Sequence, residues 1–193
     1  WVCLLGLMVK IVMWLIPDAK DAKVNPLQPA FLDKKVIGQP TVALKLVAKE
    51  VLHCSGMVKN MLKDLAGLSK SEDPALVGKI KEQGQTLHSL MEAINDYLAE
   101  LFSAGVLTEL QATQTAKLMH VCGDVERMGE LAADLTDVIA GKMELKYSFS
   151  EEAMEDLRKS LNQISKMYGD AMRALEQGEP EEPEKLIRRR VKV

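Results

Sequence analysis

The chain has 193 residues, a formal net charge of −3, and 47% hydrophobic but only 4% aromatic side chains. That length can bury one substantial core, and the slightly acidic balance argues against nucleic acid as a partner. Leu, Met, Ala, Glu and Lys predominate, a helical composition, so the expected fold class is all-α. Three cysteines, Cys3, Cys54 and Cys122, lie far apart without a CxxC spacing, which suggests neither a disulfide framework nor a thiolate zinc site. Cys54 and Cys122 fall on apolar stripes and read as small core residues.

Residues 1–16 are apolar apart from Lys10 and end at Pro17-Asp18. Sixteen helical residues reach about 24 Å, short of the roughly 30 Å hydrocarbon core of a bilayer, so the segment reads as the end of a transmembrane helix. Trp14 and Lys20 stand where interfacial anchors belong. Because the first residue is Trp1, with no basic stretch or small-residue cleavage site following, a signal peptide is disfavoured and the expectation is a start inside a longer reading frame. Residues 17–39 hold Pro17, Pro26 and Pro29 among charged groups and read as a linker, with at most one short turn at Phe31-Leu32.

Pro40 sits where proline opens a helix, and Val47, Val51, Cys54, Val58, Met61 and Leu65 follow in a 4-3-4-3-4 rhythm until Gly67 and the Ser69–Asp73 stretch. Asp73-Pro74 is a helix cap followed by a first-turn proline, and Leu76, Ile80, Leu87, Leu90, Ile94, Tyr97 and Leu101 carry the second helix to about Phe102. Thr108 and Gln111 have capping-box spacing for a third, with Leu118, Val121, Val125, Met128, Ala132, Leu135 and Ile139 as its stripe and Gly141 as its end. Short connections force antiparallel neighbours, so residues 40–141 read as one antiparallel three-helix bundle.

A fourth helix, capped by Ser148 and Glu151, carries Leu157, Leu161, Ile164, Tyr168, Ala171 and Leu175. Each lies 110 residues after a stripe position of the first helix, and Lys63 corresponds in the same way to Arg173. The chain is internally duplicated, and residues 148–193 read as an incomplete second bundle. Leu157, Leu161, Ile164 and Leu175 would lack the helices that cover them, leaving them exposed or packed on a second copy.

The third helix holds the most informative stretch, Cys122 to Leu135. Glu126, Glu130 and Asp134 recur one turn apart on the same side, where like charges repel by a few tenths of a kcal/mol per pair unless a cation or basic partner offsets them. A solvated acidic face, with Arg127 as a loose counterion, is the plain alternative.

Several segments resemble a known family. Pro40-Thr-Val-Ala-Leu, Lys49-Glu-Val-Leu, Met57-Val-Lys-Asn-Met-Leu, Ile94-Asn-Asp-Tyr-Leu, Asp124-Val-Glu-Arg-Met-Gly-Glu and Phe149-Ser-Glu-Glu-Ala are similar to PhoU-type domains. The stretch 124–130 is the most specific, and the likeness covers about residues 30–187. The resemblance implies two three-helix bundles with E/DxxxD motifs able to bind metal ions. Carried over position by position, Glu126 and Glu130 match the third-helix motif, Asp134 stands at the family's Asn, and the second-helix acidic positions fall on Gly84 and His88. His88 is then the nitrogen donor in a weak site for a divalent metal, Mg²⁺, Mn²⁺, Fe²⁺ or Zn²⁺, or the three carboxylates form an acidic docking stripe.

The apolar 1–16 segment before the bundle resembles the junction in bacterial sodium/phosphate cotransporters. The expected function is therefore a cytosolic, non-catalytic regulatory domain on a sodium-dependent phosphate transporter in the inner membrane, with sodium and phosphate handled by a membrane part and self-association through the incomplete bundle. The alternative is a stand-alone metal-binding or protein-interaction bundle. A carboxylate-bridged metal enzyme would call for Glu-x-x-His pairs on two helices, which the sequence lacks, and a plain coiled coil would not show an internal repeat.

Overall fold

The computed structural model describes residues 27–71, 73–145 and 149–177. The expected membrane helix at 1–16, residues 17–26 of the linker, Ser148 and everything after Gln177 lie outside them. The described elements are a 3₁₀ turn at Lys34–Val36 and four helices: α1 (Pro40–Ser71), α2 (Pro74–Ser103), α3 (Glu109–Leu145) and α4 (Glu151–Gln177). Among the described residues there is no strand, and no helix is long and apolar enough to cross a membrane.

The helix starts follow from local chemistry. Asp73 caps α2 by accepting the Ala75 N–H at 2.9 Å, with Pro74 at the position that needs no donor. Thr108 and Gln111 exchange reciprocal bonds at 3.0 and 3.3 Å, the capping box the spacing predicts. The α2–α3 turn passes through Gly105 at φ 67°, a left-handed conformation that favours glycine.

Two ends differ from expectation. α1 runs through Gly67 and stops at Ser71, inside the expected Ser69–Asp73 stretch, but α3 passes Gly141 to Leu145, because an isolated glycine costs about 1 kcal/mol and neighbouring packing outweighs it. α4 is capped by Ser150, whose hydroxyl accepts from the Ala153 N–H at 3.1 Å, two residues later than the expected Ser148.

α1, α2 and α3 pack against one another as a three-helix bundle. All six predicted stripe residues of α1 are buried, as are Ile80, Leu87, Leu90, Ile94, Tyr97 and Leu101 of α2 and Val125, Ala132 and Ile139 of α3. Each such aliphatic side chain contributes about 1.5–3 kcal/mol relative to exposure.

α4 overturns the expectation of an uncovered stripe. It packs along α1, burying Leu161 and Tyr168, while Ile164 stays exposed. The reason lies in α1, whose buried set includes the adjacent pairs Ala43-Leu44, Cys54-Ser55 and Met61-Leu62. Consecutive residues point about 100° apart, so this arc is too wide for one stripe and serves two sides.

The linker's end is also tied down. The turn falls at Lys34–Val36 instead of Phe31-Leu32, with Asp33 accepting from the Lys35 N–H. Phe31 donates its N–H to the buried Glu50 carboxylate at 2.6 Å, and Lys49 sits over the Phe31 ring. Tyr97 closes the contact by donating to the Asp33 carbonyl at 2.9 Å.

Candidate functional site

All four residues expected from the sequence meet at one place. A cavity of about 430 Å³ lies between α2 and α3, lined by Gly84, Leu87 and His88 on one side and by Glu126, Gly129, Glu130, Asp134 and Asp137 on the other. The acidic spacing on α3 puts its carboxylates along one wall. What brings the opposite wall within reach is Gly129: a methyl group there would lie 2.2 Å from Leu87 Cδ2, so only a glycine permits this approach of the helices.

Across the cavity His88 Nδ1 lies 2.8 Å from Glu126 Oε1. The imidazole is largely exposed and the carboxylate 24% exposed, so the pair is held but wetted. Arg127 reaches Glu130 at 3.6 Å on the outer face, and Lys81 pairs with Asp137 at 2.6 Å at the far end. Asp134 completes the acidic wall.

The family likeness implies a metal, and these donors fit one poorly. Hard-cation sites need several oxygens converging on one point, whereas Glu126, Glu130, Asp134 and His88 are not drawn together as a set of three within 4.8 Å. Glu126 is instead engaged by the imidazole. The arrangement is a histidine–carboxylate bridge over an acidic groove, suited to binding a cationic group at its surface.

Among the described residues the set that does converge is Glu50, His53 and Cys54, on one turn of α1. Cys54 reads from its apolar stripe as a core residue, and the i, i+3, i+4 spacing of the three is the signal in the sequence. Glu50 spends one oxygen on the Phe31 N–H and lies 3.1 Å through the other from His53 Nδ1. Cys54 is a neutral thiol, pushed up to about 12 chiefly by burial and then by the Glu50 charge, whereas a metal takes the thiolate. The cluster thus serves as the anchor for the linker. Cys122 is likewise raised to about 12, by burial first and Glu126 second, and both cysteines are free and buried.

With the signature stretch placed on the groove wall, comparison with known proteins is informative. Residues 51–139 match the family described as PhoU domain. A PhoU domain is present. It spans most of α1, all of α2 and all but the last six residues of α3, and the all-helical architecture agrees with the PhoU helical bundle. The chain is also similar to a Salmonella typhimurium protein described as "Putative inorganic phosphate export protein YjbB", with 24% identity over 159 residues, covering 82% of this chain and 29% of that relative. The chain therefore spans less than a third of the relative's length. No solved structure matches it.

Proposed function

We propose that residues 40–177 form a non-catalytic regulatory module of a sodium-dependent inorganic phosphate transporter, lying on the cytoplasmic side of the bacterial inner membrane and modulating phosphate flux. The observation that carries this reading is the extent of the similarity: it covers 82% of the chain, so the likeness to a phosphate export protein continues beyond the matched PhoU segment. Transport itself is assigned to the much larger remainder of the full-length protein. The groove supports a binding role, since its carboxylates are matched with His88, Lys81 and Arg127 and none is set against a nucleophile.

The test is radiolabelled phosphate flux, with and without sodium, in cells expressing the full reading frame that contains this chain or the same frame lacking residues 40–177. Sodium-dependent flux should persist in the deletion while losing its response to external phosphate. An identical response in both proteins refutes the regulatory role, and absence of phosphate flux from the intact protein refutes the transporter assignment.

A further inference from the structure

A second cavity, of about 220 Å³, opens between α1 and α4. Its polar lining holds Lys59 and Ser55 from α1 and Tyr168, Arg173 and Glu176 from α4. The Tyr168 side chain is nine-tenths buried, yet its hydroxyl makes no hydrogen bond of acceptable geometry. Ser55 beside it already donates to the Leu52 carbonyl at 2.8 Å, which leaves oxygen lone pairs but no spare proton. Those lone pairs lie close enough to Tyr168 to influence its phenol but do not form a hydrogen bond with it, so the hydroxyl proton stays available to a better-placed acceptor.

The charges indicate which acceptor. Lys59 has no ion pair among the described residues. Arg173 pairs with Asp170 and donates through Nε to the Gly169 carbonyl at 3.4 Å, leaving further guanidinium N–H groups available. Glu176 at the rim is the opposing charge. The Lys59 ammonium lies against the α4 backbone at Gly169, where an added methyl would meet Nζ in ordinary contact at 3.8 Å. The volume falls below the roughly 300–1,000 Å³ of sites for drug-sized ligands, enough for a small hydrated anion and too little for a nucleotide.

We infer that the α1–α4 cavity is a binding site for a tetrahedral oxyanion of the phosphate class, with Lys59 and Arg173 supplying charge and the Tyr168 hydroxyl donating to an anion oxygen. The site goes beyond the regulatory reading above and rests on it only in the choice of inorganic phosphate as first probe. The signal in the sequence is faint, because Lys59, Tyr168 and Arg173 meet only through the docking of α4.

The test is calorimetric titration of the full chain with inorganic phosphate and, separately, sulfate at low ionic strength, alongside helicity by circular dichroism. Tyr168→Phe keeps the ring that fills the core and should weaken binding about three- to tenfold, as one neutral hydrogen bond is lost. Lys59→Gln removes the exposed cation without disturbing packing and should weaken it about tenfold or more. Lys117→Gln, which removes an exposed cation of α3 outside both grooves, should bind as the parent does. Sulfate binding that shows the same losses also supports an oxyanion site. Absence of saturable binding of either anion at millimolar concentration overturns the inference, as does binding that Tyr168→Phe and Lys59→Gln leave unchanged. Failure of the flux experiment would leave these titrations standing, so the two readings fall separately.

Discussion

Gly129 offers the sharpest check on how the groove is built. In Gly129→Ala the new methyl carbon would lie 2.2 Å from Leu87 Cδ2, while carbon atoms in contact settle at about 3.5–4.0 Å, so one partner must move by more than an ångström. Leu87 is 2% exposed and has little room to yield. Overpacking of this kind costs about 1–3 kcal/mol. Against it stands the helix preference for alanine over glycine, about 1 kcal/mol, so the single variant alone is a blunt test. Gly123 supplies the control: it lies on the same helix with nothing within 4 Å of the position an added methyl would take. The propensity gain is common to both sites, so the difference in stability between Gly123→Ala and Gly129→Ala isolates packing and should be about 1–3 kcal/mol in favour of Gly123→Ala. Urea denaturation followed by circular dichroism measures it. Pairing Gly129→Ala with Leu87→Ala should then cost less than the sum of the two single changes, because the shortened side chain makes room. Equal stabilisation by the two alanines would show that α2 and α3 do not approach closely at this point.

Three further outcomes follow from particular contacts. Glu50→Ala should destabilise the fold by about 2–4 kcal/mol in urea titration, since it strands the half-buried Phe31 N–H and opens a cavity where the buried Glu50 stood, and the Phe31 amide should exchange faster with solvent; a cost near zero would mean the linker is not anchored there. Cys54 and Cys122 are raised from 9.0 to about 12 in the fold, so above pH 9 the unfolded chain loses thiol protons first, and stability should fall as pH rises from about 9 to 12 by up to about 1.4 kcal/mol per pH unit per thiol. Urea midpoints across that range, with Cys54→Ala and Cys122→Ala flattening the decline, check the sign; thiol reagents should also leave both groups unmodified at neutral pH until unfolding. Millimolar Mn²⁺ should raise the melting temperature little, because the groove's donors do not converge; a large rise abolished by Glu126→Gln with Glu130→Gln would restore a metal site.

Much of the architecture was legible because local signals agreed. The cap at Asp73 with Pro74, the Thr108–Gln111 box and the period of the stripes each point to the same helices; the α1 stripe is buried throughout and the α2 stripe except for half-buried Leu76, while α3 buries Val125, Ala132 and Ile139 and leaves Leu118, Val121, Met128 and Leu135 half-buried. The helix ends were less legible. Gly67 and Gly141 look like stops in a one-dimensional reading, yet a glycine penalty of about 1 kcal/mol is small beside the burial of the Leu68 or Ile139 side chain next to it. The destination of α4 was hidden for a related reason. Reading α1 as one stripe assigned it a single packing face, whereas its adjacent buried pairs describe an arc covered from both sides.

The two polar sites were legible to different degrees, and the difference is one of sequence distance. Glu126, Glu130 and Asp134 share one helix, so their spacing alone announces a face, and only the His88 contact from α2 required the fold. The Glu50 anchor combines a helix with a residue of the linker, and an isolated glutamate beside a histidine carries no pattern that distinguishes it from a surface pair. The α1–α4 cavity depends entirely on tertiary contact: Lys59 and Arg173 read as solvated charges and Tyr168 as a stripe residue until α4 is laid on α1. α4 leans on α1, and the small residues Ser55, Gly56 and Gly169 line the cavity between them.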